Sequence, residues 1–158
     1  KGLESLGLGA ELNAAAEEPP AQEIRDWRTG DELMRIDRTG TRAEYGAAYY
    51  MLHRADLNAI LTRAVEAAGV EIILGARLAT VRDEGSRVAL GFADGRSWSG
   101  DALIAADGVR STVREQLFNP VPVRFTGHIA WRGLVPVEDM PGYVVQPGSV
   151  VWTGPQKN

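Results

Sequence analysis

Asp101-Ala102-Leu103-Ile104-Ala105-Ala106-Asp107-Gly108-Val109-Arg110-Ser111-Thr112-Val113-Arg114 is an apolar run that ends abruptly in an acid, a glycine and two spaced arginines. The order predicts a short buried strand delivering Asp107 to its carboxyl end, a turn at Gly108, and a short helix from about Thr112 capped by Ser111. Ligands of open α/β sheets gather at that edge of the sheet. A carboxylate there repels phosphate but accepts hydrogen bonds from sugar or ribityl hydroxyls, while the guanidinium groups of Arg110 and Arg114 suit phosphate oxygens. The stretch reads as a nucleotide-binding edge. On spacing alone it also fits a plain strand-turn-helix junction, with Asp107 as a cap and Arg114 solvated or bridging to a neighbouring acid.

Upstream, Leu78 to Asp83, Arg87 to Phe92 and Arg96 to Ser99 are short segments separated by Glu84-Gly85-Ser86 and Asp94-Gly95, which predicts an antiparallel meander. Before it, Val70-Glu71-Ile72-Ile73-Leu74 reads as a strand. From Asp56 to Ala68, residues Leu57, Ile60, Leu61, Ala64, Val65 and Ala68 recur at three- and four-residue steps, and Gly69 ends the predicted helix. A helix followed this closely by a strand is typical of an α/β unit. Arg54 opens that helix, where a cation opposes the helix dipole; an external anion or polar ligand would account for it, and so would simple exposure.

Further out, Lys1 to Glu18 predicts helical pieces broken around Gly7 and Gly9 and stopped by Pro19-Pro20. Gly7-Leu8-Gly9 is read as a helix C-cap, because no strand precedes it and no third glycine follows at the dinucleotide spacing. Ile24 to Ile36 predicts a hairpin around Gly30, and Asp37 to Arg42 a loop. Downstream, the alternation from Val121 to Val137 suggests strands, and Val150-Val151-Trp152 opens another.

Composition narrows the function. With 44% hydrophobic and 24% charged residues over 158 positions, the chain can bury a core. A formal charge of −4 and a pI near 5.2, with no Lys/Arg cluster, argue against a nucleic-acid partner. No apolar run approaches the roughly 18 residues that span a bilayer, and no secretory segment opens the chain, so no membrane partner is expected. Zero cysteines exclude disulfides and thiolate metal sites, and two isolated histidines, His53 and His128, leave no expected metal site. Both histidines are read as structural or surface residues. Trp27, Trp98, Trp131 and Trp152 are read as packing residues. Ser111 lacks a G-x-S-x-G elbow and is a poor nucleophile. The absence of cysteine permits the reducing cytoplasm, the expected location.

Together, His53-Arg54-Ala55-Asp56-Leu57, the helix and meander, and Asp107-Gly108-Val109-Arg110-Ser111-Thr112-Val113-Arg114 resemble the FAD-dependent aromatic hydroxylases of the p-hydroxybenzoate and salicylate hydroxylase type. Gly127-His128-Ile129-Ala130-Trp131-Arg132-Gly133 resembles that family's first substrate-domain strand after the signature. The resemblance covers about Met51 to Val135. It implies an α/β FAD/NAD(P)-binding fold of three-layer ββα type with a β-meander, interleaved with part of a mixed-sheet substrate domain. Residues 1–23 and 51–119 would form part of the FAD-binding domain, and 24–50 and 120–158 strands of the substrate domain. By the same resemblance Arg54, Asp107 and Gly108 contact FAD, and Arg110 and Arg114 support phosphate or nicotinamide-nucleotide binding. The implied activity is hydroxylation of a small salicylate- or hydroxybenzoate-like aromatic by FAD with O2 and NADH or NADPH, with the protein positioning and shielding the cofactor. An epoxidase, halogenase or reductase using the same cradle, or a cofactor-free interaction scaffold, are the alternatives. The family's G-x-G-x-x-G and its downstream Gly-Asp have no counterpart here. The chain is therefore expected to be an internal fragment, inactive alone.

Overall fold

The periodic run after His53 folds as read. In the computed structural model, which describes residues 1–118, 121–141 and 148–154, helix α4 spans Arg54–Ala67, and Ile60 on its apolar face is only 3% exposed. Ile60 meets Leu8 and Leu12, with Leu57, Leu61 and Ala64 of the same helix packed around them. The three- and four-residue spacing thus supplies one side of a small core, and the alanine-rich start of the chain supplies the other. That start forms α1 (Gly2–Ser5) and α2 (Gly9–Ala15). Between them Gly7 sits at φ +84, and its N–H bonds to the Glu4 carbonyl at 3.0 Å, the helix ending expected from the sequence.

These helices belong to the first of two compact units, Lys1–Glu71 with Leu134–Asn158. Its sheet is built on the expected hairpin. Strand β1 (Ala21–Asp26) pairs antiparallel with β2 (Glu32–Asp37), with Ile24 opposite Met34. The Asp26 carboxylate accepts the Arg28 and Thr29 N–H groups at 2.8 and 2.9 Å, which closes the turn. The later strand β6 (Ser149–Thr153) lies parallel to β1 on its other side, giving the order β2-β1-β6. The stretch read as a loop after Asp37 holds a further short helix, α3 (Thr41–Tyr45), which ends at Gly46. Arg42 of α3 donates to Glu18 at 2.8 Å and to the Tyr50 hydroxyl at 3.1 Å, and pairs with Glu4 of α1 at 3.4 Å. One guanidinium so ties α3 to α1 and to the segments flanking the hairpin.

The second unit, Ile72–Gly133, contains the meander. Strands β3 (Leu78–Asp83), β4 (Val88–Phe92) and β5 (Ser97–Gly100) pair antiparallel in that order. Helix α5 (Thr112–Leu117) packs on β3. The Gln116 amide of α5 fastens the contact: its Oε1 accepts the Val81 N–H at 2.9 Å and its Nε2 donates to the Ala79 carbonyl at 2.8 Å. Val81 is 5% exposed.

Three expectations need correction. Val70–Leu74 and Ala102–Ala106 carry strand chemistry but form no ladder among the described residues, and Ile104 is 93% exposed. A strand exists only where a neighbouring strand takes its backbone N–H and C=O groups, and among the described residues neither run finds one; the Val70 N–H turns back to the Val65 carbonyl of α4 at 3.2 Å. The alternating stretch from Val121 to Val137 is likewise irregular, with a single 3-10 turn at Val137–Asp139. The tryptophans are not core residues here: all four are exposed, Trp131 at 92%.

Candidate functional site

The junction that follows Ala106 is built from side chain to backbone. Gly108 turns the chain at φ +78, a left-handed conformation that an L side chain rarely adopts. Four residues later the chain enters α5, and Ser111 caps it: its Oγ accepts the Arg114 N–H at 3.0 Å. The same hydroxyl donates to Asp107 Oδ1 at 2.5 Å, and the Val113 N–H donates to Oδ2 at 3.2 Å. On the far side of the glycine, the Arg114 guanidinium donates to the Val109 carbonyl. Asp107, Ser111 and Arg114 therefore lock the turn around Gly108.

These bonds set the charge. The Ser111 hydroxyl, aided by the Val113 N–H and opposed by some desolvation, holds the Asp107 carboxyl below the usual carboxylate range. Asp107 is a carboxylate at neutral pH, and each of its oxygens keeps acceptor capacity beyond the bond that it already makes.

Beside the turn lies an open hollow of about 920 Å³. Asp107, Gly108, Val109, Ser111 and Arg114 line it, together with Phe118 and Val121–Arg124. Of the residues expected to bind cofactor, the structure brings Asp107, Gly108 and Arg114 together on this hollow. Arg110 is exposed and is not among its lining residues. Arg54 is the first residue of α4, in the other unit, where it is exposed. His53 is the N-cap of α4, its Nδ1 accepting the Ala55 N–H at 3.3 Å, which is a structural role as expected.

Sequence reasoning missed two features. Ser111 was legible as a cap but not as the partner of Asp107; its place four residues after the acid, across a glycine turn, is the signal that was there. Arg124 adds a second cation to the hollow from a stretch read as strand, and nothing in its local pattern marks it. Among the described residues no helix is long and apolar enough to cross a membrane.

Known proteins share this framework. The FAD binding domain family model matches residues 1–156. The chain is 39% identical to 3-amino-4-hydroxybenzoate 2-monooxygenase of Streptomyces cremeus over 158 residues, 99% of this chain and 39% of that protein. It is 35% identical to 6-hydroxynicotinate 3-monooxygenase of Pseudomonas fluorescens over 87% of this chain and 36% of the relative. With 3-hydroxybenzoate 6-hydroxylase of Klebsiella oxytoca it shares 32% identity over 97% of this chain and 39% of the relative. Among solved structures, Klebsiella pneumoniae HpxO complexed with FAD and uric acid aligns at a TM-score of 0.61 and 26% identity, covering 75% of this chain and 31% of that one. The chain thus spans about 39% of the length of the first of these relatives. Its mixed helix-and-sheet fold is that of FAD-binding monooxygenases. Matched along 1–156, and aligned over nearly its whole length with the Streptomyces cremeus monooxygenase, the chain belongs to the FAD binding domain family.

Proposed function

We propose that the complete protein is a cytoplasmic flavin-dependent monooxygenase that hydroxylates a small, salicylate- or hydroxybenzoate-like aromatic with NADH or NADPH and O2. The observation that carries this reading is the Asp107 carboxylate, held ionised and fixed beside a side-chain-free Gly108 on the wall of a large hollow, in a chain of the FAD binding domain family. The names of the relatives support the substrate class, since aminohydroxybenzoate, hydroxybenzoate and hydroxynicotinate are all ring carboxylates.

The donor set suits a flavin nucleotide. An anionic acceptor recognises the hydroxyls of a ribose or ribityl chain, Gly108 admits close backbone approach, and Arg114 and Arg124 supply cations for phosphate. Arg54 and Arg110 complete the proposed cofactor set, Arg54 toward the flavin and Arg110 toward phosphate or the nicotinamide nucleotide. Bound there, FAD would supply the redox chemistry of a monooxygenation, in which the reduced nicotinamide is oxidised, one oxygen atom of O2 enters an electron-rich ring and the other leaves as water. The chain's own contribution is binding and orientation. Asp107 fixes the hydroxyl-bearing part of the nucleotide, and the apolar Phe118, Val121 and Val123 line the same hollow.

We also assign the finer architecture by this reading. Residues 1–23 and 51–119 form part of a three-layer ββα cofactor domain. Residues 24–50 and 120–158 contribute strands to a mixed substrate sheet. The sheet in which β2 and β6 flank β1 supports grouping those last two stretches.

The test is Asp107→Ala in the complete protein, read by flavin content of the purified enzyme and by NAD(P)H oxidation. Both should fall, flavin affinity by at least about tenfold, the scale of a lost hydrogen bond to a charged group. Unchanged values for both would remove Asp107 from the site.

A further inference from the structure

We infer that Ser111 is a positioning residue for this site, fixing the Asp107 carboxylate in the one orientation in which it can receive the hydroxyl-bearing part of the flavin nucleotide. The inference rests on the proposed function and goes beyond it, because Ser111 touches no ligand in this account. A hydroxyl has one proton to give and two lone pairs. The Ser111 proton goes to Asp107 Oδ1 at 2.5 Å, and a lone pair takes the Arg114 N–H at 3.0 Å. Among the described residues Ser111 is the one buried polar side chain, at 8% exposure. Its proton and one lone pair are committed to the protein, and little of it is exposed.

Asp107 is the opposite: exposed, on the hollow, and with spare acceptor capacity on each oxygen. A carboxylate turns easily about its last torsion, which is broad and two-fold. With Ser111 in place both oxygens are anchored, Oδ1 by the hydroxyl and Oδ2 by Val113. Without it a single 3.2 Å bond remains, and the carboxylate is free to swing away from the geometry that a pair of hydroxyls needs. The arginine clamp on Val109 holds the other end of the turn, so the serine has one task left, aiming the acid.

A double-mutant cycle in the complete protein separates this role from a merely structural cap. Ser111→Ala should weaken FAD binding about tenfold, and Ser111→Thr, which keeps the hydroxyl, should restore it. In an Asp107→Ala background, which removes the acceptor, Ser111→Ala should cost nothing further. The acid limb of FAD binding in Ser111→Ala should also move to higher pH, since the serine is the main group holding the acid ionised. If the alanine variant does not fold, Ser111→Gly gives the same readout, because glycine loses only a few tenths of a kcal/mol as a cap. Equal losses in both backgrounds, or a threonine variant as weak as alanine, would overturn the positioning role alone. An Asp107→Ala variant that binds FAD normally would instead overturn the site reading, and the role of Ser111 with it.

Discussion

The meander and the two apolar runs that flank it share a chemistry but not a fate. Strands β3 to β5 hold together through neighbours a few residues away: the Glu84 N–H reaches the Arg87 carbonyl at 2.9 Å, and the Phe92 N–H reaches that of Arg96 at 2.9 Å. Their faces add Phe92 against Trp98, ring centres 6.1 Å apart and nearly perpendicular. Val70–Leu74 and Ala102–Ala106 are at least as apolar, yet their backbones find no ladder and Leu74 and Ile104 stand exposed. The lesson concerns range. An antiparallel meander brings its own partners, whereas a parallel strand depends on segments brought from far along the chain.

Substitutions can break this contrast. The largest effect is expected from Val81→Asp, which puts a charge at a buried point of β3 and should cost more than about 3 kcal/mol of stability, measured by denaturant unfolding. Gln116→Ala should cost about 1–2 kcal/mol, because it removes the clamp between α5 and β3 and leaves the Val81 N–H without a partner. Gln116→Glu, which keeps the acceptor for Val81 and loses the donor for Ala79, should cost less than Gln116→Ala. At the other extreme, Ile104→Asp in this chain should change stability by less than about 0.5 kcal/mol, since its side chain is already in water. A large loss from Ile104→Asp in the complete protein would mark the place where that run gains its sheet neighbour.

Acid titration sharpens the same comparison. Asp94 is held below the ordinary carboxylate range chiefly by the Arg96 side chain, and Asp107 chiefly by Ser111. A depressed folded value means that the stabilisation is complete above the unfolded value, about 3.9, and is lost as the pH falls through the lower folded one. Unfolding midpoints should therefore hold steady from neutral pH down to about 5 and drop below about 4. Asp94→Asn should flatten part of that drop by removing a turn carboxylate of the meander.

What the sequence disclosed follows the same line. The α4 stripe, the hairpin at Gly30, the meander turns and the Ser111 cap were all legible, because each is decided by residues within one or two turns of chain. The runs at Val70 and Ala102 were read as strands from composition, which measures an appetite for burial and says nothing of the partner. Asp107, Gly108 and Arg114 were legible as one cluster for the same local reason. The Ser111–Asp107 bond was not, since a capping serine and a ligand-facing acid each already had an explanation. Arg124 was hidden because its neighbourhood on the hollow is a product of tertiary folding.

The parallel seam between β1 and β6 carries a consequence for how the chain is made. Gln22 pairs with Ser149 and Asp26 with Thr153, so the open edge of β1 is offered early and covered late. On the ribosome, every residue from Trp27 to Gly148 must emerge before that edge finds its mate, and closing so long a loop is slow compared with zipping a hairpin. During that interval the β1–β2 hairpin is the part of the nascent chain most open to mispairing with another strand. Its row of Glu23 between Arg25 and Arg35 gives the waiting edge a charged surface that discourages such strangers.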